Sequence, residues 1–355
     1  MTQESVSKRQ VPYYRCWIQR QVYRLAWVLV FFATVWATAA LYFDLPFPSL
    51  RTIAAIAYLI AVIVATYFAR RSLRRMLFCV AAFLLVLIWW LSIKPSNTRN
   101  WQADVEQTPW AEISGDRVTL HNFRNCDYRA EFDYTCSWTT RTLDLSQLRG
   151  VDVFVTYWGS PWILHPILSF RFGDHDYVAA SIETRKEVGE EYSAVRGFFR
   201  YYELIYVFAD ERDVLRLRSN YRKGEEVYGF RTTAGPGWSR ELFLEYLRRA
   251  NDMHEHPQWY NAATDNCTTN IFTQMAATGK LPAGSSLRSW WILLNGKGTQ
   301  MLYESGNFQT GPGKPLPYEA AMEKAHLNAK ARTVNEAPDF SQQIREGRPG
   351  FAEIK

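Results

Sequence analysis

Three side chains in this sequence have the types and the chain order for thiol chemistry. They are Cys267 in "YNAATDNCTTNIFTQMAATG", His165 in "SPWILHPILSFRF" and Glu183 in "SIETR". A thiolate attacks carbonyl carbon, an imidazole can take the thiol proton, and a carboxylate can orient that imidazole. Cys267 follows a polar, turn-prone run in which Asp265 or Asn266 can cap a helix through "CTTNIFTQMAATG", with Gly279 as its stop. A thiol in the first turn of a helix sits in the field of the N-terminus, which favours thiolate and predicts a lowered pKa. The same residue types also serve as plain core packing, so the elements around them must decide.

The stretch "SPWILHPILSFRFGDHDYVAASIETR" predicts a hairpin, with an apolar strand, a turn at "GDHD" and a second strand. In that register His165 projects from a rigid strand and Ser181 to Thr184 lie across from it, which makes Glu183 the candidate orienting group. Glu183 can equally be a strand-surface carboxylate paired with Arg185. Tyr157, Arg185, Asn266 and Thr268 are the candidate substrate-binding residues. Arg185 with Arg196, Arg200 and Arg212 could form an anionic headgroup or peptide-carboxylate site. The other histidines are His121, His175, His254, His256 and His326. No C-x-x-C, H-x-x-x-H or H-E-x-x-H spacing occurs, so no metal site is read, and no cofactor motif is found.

The elements that must hold these residues begin with a membrane anchor. Three uncharged apolar segments, Ala26–Phe43, Thr52–Ala69 and Met76–Ile93, are each long enough to cross a bilayer. A secretory leader has a single shorter apolar core, whereas here the pattern recurs. Lys8, Arg9, Arg15, Arg20 and Arg24 precede the first segment, and Arg70, Arg71, Arg74 and Arg75 separate the second from the third. The positive-inside rule therefore places the N-terminus in the cytoplasm and everything beyond about Lys94 outside, in the periplasm or at the outer face. The net charge of +6 carries no dense basic stripe with interleaved aromatics outside the membrane flanks, so nucleic-acid binding is not read.

Beyond the anchor, residues 96–117 read as a juxtamembrane linker with tryptophans that could sit at the membrane interface. Residues 118–310 form the domain proper. Runs from "RVTLHNF" to "VLRLRSNYR" predict several antiparallel strands, "SRELFLEYLRRANDMH" predicts a helix capped by Ser239, and "SLRSWWILL" an apolar helical segment. The result is an α+β class. Residues 311–355 read as a tail with a possible helix at "YEAAMEKAHLNAKAR" and a mobile end. Of five cysteines, Cys16 falls in the cytoplasm and Cys79 in a span. Cys126 and Cys136 flank a candidate hairpin and could pair in an oxidising compartment. Cys267 is then the odd thiol outside.

The stretches "YWGSPWILHPILSFRF", "SIETRKEVGEEYS", "GFFRYYELIYVFADERDVLRLRSNYR" and "WYNAATDNCTTNI" resemble the extracytoplasmic domain of the lipoprotein intramolecular transacylase family, Lnb, over roughly Val118 to Gly306. That resemblance implies a permuted papain-like fold with histidine before cysteine, and carries the family's Cys-His pair onto Cys267 and His165. It implies transfer of the sn-2 acyl chain of a diacylglyceryl lipoprotein onto the amine of its N-terminal cysteine, with membrane lipids and lipoproteins as partners. The family places its membrane helices after this domain, whereas here three spans precede it. Three readings follow: a thiol acyltransferase or acyl hydrolase acting on lipid-linked substrates, a cell-wall or peptide hydrolase of papain-like type, and a non-catalytic envelope protein whose thiol is packed.

Overall fold

The computed structural model describes residues 13–68, 72–281, 295–311, 313–348 and 350–351. Lys8, Arg9, Arg70, Arg71 and the segment "SLRSWWILL" lie outside the described residues. The chain divides into two compact units, one of residues 1–94 with Phe199–Tyr201, the other of the remainder. In the first unit, α1 (Tyr13–Asp44), α2 (Pro48–Phe68) and α3 (Ser72–Ser92) are long and apolar enough to cross a membrane. Most of their large apolar side chains, such as Phe31, Ile60 and Leu85, are exposed, as expected where lipid is the solvent.

The second unit is built on one sheet of eight strands. They are β1 (Trp110–Ser114), β2 (Arg117–Tyr128), β3 (Tyr134–Asp144), β4 (Leu148–Trp158), β5 (Leu164–Phe172), β6 (Asp176–Arg185), β7 (Glu203–Ala209) and β8 (Glu225–Arg231), in the order β1-β2-β7-β6-β5-β4-β8 with β3 also on β2. All ladders are antiparallel except a single parallel contact between β2 and β7, where Arg124 meets Ala209. Valine, isoleucine and aromatic residues fill both faces of the central strands, so both must be covered. One face packs Phe154, Ile167, Ile205, Val207 and Val227 under α4 (Glu211–Arg216), α9 (Asn328–Thr333) and α10 (Phe340–Gln343). The other sets Phe170, Tyr206 and Phe208 against Phe243 and Tyr246 of α5 (Pro236–Glu255), with α6 (Cys267–Ala277) beside it.

Several expectations need revision. The helix α5 begins at Pro236, where the missing N–H costs nothing, so Gly235 is its cap and Ser239 lies buried in its first turns. The run "VLRLRSNYR" is helical, ending α4 and continuing as a π-helical turn over Leu217–Tyr221. Its β-like composition is overridden by the Asp210 side chain, which accepts from the Arg212 N–H and starts the helix. Trp101 of the supposed linker is buried, its ring under the Arg185 guanidinium at 4.3 Å, and β1 lies before residue 118. The tail is not loose: Leu327, Ala331, Val334, Phe340 and Ile344 belong to the core, and α7 (Gly298–Glu304) and α8 (Tyr318–Ala325) lead into it.

Candidate functional site

The helix carrying Cys267 starts as its residues dictate. The Asn266 side chain accepts from the Thr269 N–H at 3.0 Å, and Thr269 Oγ1 accepts from the Asn266 N–H at 2.9 Å, a reciprocal cap. Gly279, at φ 74°, follows the last turn in the left-handed conformation that glycine adopts without strain. Cys267 therefore stands in the first helical turn.

The hairpin carrying His165 spans β5 and β6, turning at Gly173–His175. Its ladder ends at Ile167 opposite Ser181, whereas β4 continues to pair with β5 out to Tyr157 opposite Leu164. Pro166, with no N–H to donate, sits where β5 and β6 part. Side chains alternate across a strand, so His165, Ser181 and Glu183 share one face, while Ile182 and Thr184 share the other. A cavity of about 410 Å³ opens at this gap, lined by residues from both faces and by Cys267 from the start of α6.

Behind its wall, the buried Ser181 Oγ lies 2.8 Å from His165 Nε2 and donates to Glu183 Oε1 at 2.8 Å. Glu183 Oε1 is itself 3.9 Å from Nε2. Arg218, from the π-helical turn, reaches Glu183 at 3.2 Å and Glu225 at 3.2 Å, and Arg222 reaches Glu225 at 3.3 Å. Among the described residues the Cys267 sulfur has one side-chain partner, Thr268 Oγ1 at 4.0 Å, and no hydrogen bond joins it to His165. Around this centre the walls are aromatic, with Tyr128, Phe132, Tyr134, Trp158, Tyr192 and Tyr260. Asp104, Glu131, Glu190 and Glu191 are also among the lining residues.

Burial sets the protonation states. It pushes the Cys267 thiol up to about 11, against the opposing pull of the Thr268 hydroxyl, backbone N–H groups of Thr268 and Cys267, and the Arg218 charge. The helix-terminal effect expected for this thiol is present but is outweighed by desolvation. Burial and the Arg218 charge also push the His165 imidazole down to about 3, with Glu183 opposing. Glu183 is held well below the usual carboxylate range by Arg218, His165, Arg124 and Arg222, which outweigh its own burial. The resting site thus pairs a neutral thiol and a neutral imidazole with an ionised carboxylate. That is the state from which an imidazole can accept a proton during attack.

The four candidate substrate-binding residues do not line the cavity. Tyr157, opposite Leu164 on β5, falls on the other side of the sheet from His165, and its hydroxyl donates to the Gly296 carbonyl at 2.9 Å. Arg185 spends its donors on the Val105 and Glu106 carbonyls and on Asn97 Oδ1, so it fastens the 97–106 segment to the sheet. Asn266 is used as the helix cap, and Thr268 as the thiol's neighbour. Arg196, Arg200 and Arg212 are not among the lining residues either. Cys126 and Cys136 face each other across the β2–β3 ladder and form a disulfide. Cys267 and Cys79 are free. Among the described residues no group of three or more His, Cys, Asp or Glu side chains is arranged to hold a metal ion.

Sequence reasoning missed Arg218, because nothing in the spacing of "VLRLRSNYR" links it to Glu183 or Glu225. Tyr260, another lining residue, carries no sequence signal that separates it from an ordinary buried aromatic.

Residues 134–296 match the family described as the Lnb N-terminal periplasmic domain. No curated protein and no solved structure matches the chain.

Proposed function

Taking residues 134–296 as an Lnb-like periplasmic domain on a membrane-anchored chain, we propose that the protein is a thiol acyltransferase or acyl hydrolase acting on lipid-linked esters, lipoproteins among them. In this reading the domain has a permuted papain-like arrangement, the anchor lies in the inner membrane, and the N-terminus is cytoplasmic. The observation that carries the proposal is that Cys267, at the start of a capped helix, and a neutral His165 line one cavity with a buried carboxylate behind the imidazole.

His165 takes the proton from the Cys267 sulfur as the sulfur attacks the ester carbonyl carbon. The backbone N–H groups of Cys267 and Thr268 at the helix start are placed to favour negative charge at this point. Collapse of the tetrahedral species breaks the ester C–O bond, and the imidazolium returns the proton to the departing alkoxide. An amine or water then attacks the thioester carbonyl and gives a proton to His165, the C–S bond breaks, and the proton returns to the released Cys267 thiolate, completing transfer or hydrolysis. Cys267 and His165 share no hydrogen bond, so the reaction requires the pair to close on the substrate, as catalytic contacts do on binding.

The test follows acyl groups. Full-length protein in its native membrane is given an alkyne-tagged lipid ester, and the Cys267 peptide is analysed by mass spectrometry with and without hydroxylamine. A hydroxylamine-labile adduct is expected on wild type, none on Cys267→Ala, and one formed on the order of 10²-fold or more slowly on His165→Ala. A wild-type protein that never carries an adduct, with envelope lipid and lipoprotein profiles the same as in Cys267→Ala, would overturn the proposal in favour of a non-catalytic envelope protein.

A further inference from the structure

We infer that Ser181 is a positioning residue: its hydroxyl ties the imidazole of His165 to the Glu183 carboxylate and holds the ring proton on Nε2, leaving Nδ1 as the basic nitrogen. The inference deepens the thiol reading proposed above and rests on it for its role in the reaction, but its geometric part stands alone.

The assignment follows from counting hydrogens. Glu183, ionised and paired with Arg218, can only accept. Ser181 has one hydroxyl hydrogen, and at 2.8 Å from Glu183 Oε1 it is spent on that oxygen. Toward His165 Nε2, also 2.8 Å away, the hydroxyl oxygen is then an acceptor, so Nε2 must carry the N–H. Two alternatives fail on the same geometry. Glu183 cannot orient the ring directly, because its nearer oxygen is 3.9 Å from Nε2, beyond a hydrogen bond. Ser181 cannot itself be a nucleophile, because it is 0% exposed and donates its proton away from the imidazole.

Among the described residues no hydrogen bond to Nδ1 is seen, and His165 lines the cavity. When Cys267 attacks, its proton moves to Nδ1 and the ring becomes an imidazolium that keeps Nε2–H on Ser181. The positive charge is then stabilised through the hydroxyl by the Glu183 carboxylate. The proton leaves from Nδ1 to the departing alkoxide, and the Ser181 bonds are unchanged through the cycle. Arg218 acts one step further back, fixing the carboxylate with the help of Glu225.

The experiment uses full-length protein labelled with ¹⁵N-histidine in detergent micelles. The His165 resonances are assigned by their loss in His165→Gln. At about pH 7, near the unperturbed histidine range, wild type is expected to show a neutral ring protonated on Nε2. Ser181→Ala is expected to show a mixture of the two tautomers, and Ser181→Thr, which keeps the hydroxyl, the wild-type pattern. In parallel, acylation of Cys267 by a short-chain activated ester should slow on the order of 10²-fold in Ser181→Ala with half-saturation unchanged, and recover in Ser181→Thr. A wild-type ring protonated on Nδ1 would overturn the inference, as would a Ser181→Ala protein with unchanged tautomer and rate. A Ser181→Thr protein as defective as Ser181→Ala in both readouts would do the same. If wild type forms no adduct at all, the thiol reading fails, and the tautomer measurements still decide the role of Ser181.

Discussion

Two arginines of the second unit are buried between pairs of carboxylates, and only one of them lines the cavity. Arg345 bonds Glu211 at 2.6 Å and Asp152 at 3.0 Å, and its guanidinium lies 3.8 Å from the centre of the Tyr177 ring. Each of its nitrogens has an acceptor, and Ser169 donates to Glu211 at 2.5 Å, so the cluster is closed. Arg218 holds Glu183 and Glu225 in the same manner, but its Nε has no partner, and one of its carboxylates is shared with the Ser181–His165 pair. Desolvation and charge pairing are common to both, so neither marks a site by itself. What differs is the company: Arg345 fastens the C-terminal segment over the sheet, whereas Arg218 stands beside an imidazole and a thiol.

The two arginines should differ in what their loss does. Arg345→Met should cost about 3–5 kcal/mol, because Glu211 is left buried without its cation and Asp152 keeps only Arg231. Denaturant unfolding of the full chain in detergent would register this, while acylation of Cys267 per folded molecule stays at the wild-type level. Arg218→Met should lose less stability, since Glu225 keeps Arg222 and water in the cavity can reach Glu183. It should nevertheless lower acylation per folded molecule, and it should raise the His165 titration from about 3, because the arginine charge is one of the causes that depress it. Equal loss of acylation per folded molecule in both variants would remove the distinction.

Titration sharpens it further. The unfolded chain protonates His165 near 6.5, whereas the folded site refuses that proton down to about 3, so this group withdraws stability as pH falls through that window. Glu183, depressed below 4.5 when folded, contributes stability above that value and loses it as pH falls further. Glu203 has the opposite sign. Burial raises it to about 7 despite Arg99 at 2.8 Å, so its contribution is present at low pH and lost as pH rises from 4.5 through 7. Between 4.5 and 6.5 the two contributions oppose each other, so relative to wild type the melting temperature should rise toward low pH in His165→Gln and fall toward low pH in Glu203→Gln. Unaltered profiles would show that neither group differs between the folded and unfolded chain.

How much of this could be read from the sequence depended on how local the cause was. The three spans declare themselves by uncharged runs, and the His165 hairpin by two apolar strands around "GDHD". The cap at Asn266 was legible because cap, cysteine and helix are contiguous. Tyr157 and Arg185 were misplaced because facing is decided by strand parity and by what docks later: one falls on the far side of β4, the other is claimed by the 97–106 segment. Arg218 and Arg345 were illegible for a different reason. Their partners lie up to 35 and 193 residues away, and the same arginine-rich strings would serve equally as solvated surface.

The smallest expected effect concerns the cap. Asn266→Ala removes the acceptor for the Thr269 N–H and the donor to the Ala262 carbonyl, and should cost about 1 kcal/mol. Asn266→Asp keeps the acceptor, adds a charge favourable at a helix start, and should recover most of that loss. Fraying of the first turn would let the Thr268 and Cys267 N–H groups leave the sulfur, so the alanine variant should also raise the Cys267 pKa further above about 11. Alkylation of the Cys267 peptide across alkaline pH, followed by mass spectrometry, measures that shift. A thiol that alkylates identically in Asn266→Ala and wild type would mean that the cap holds the helix without tuning the sulfur.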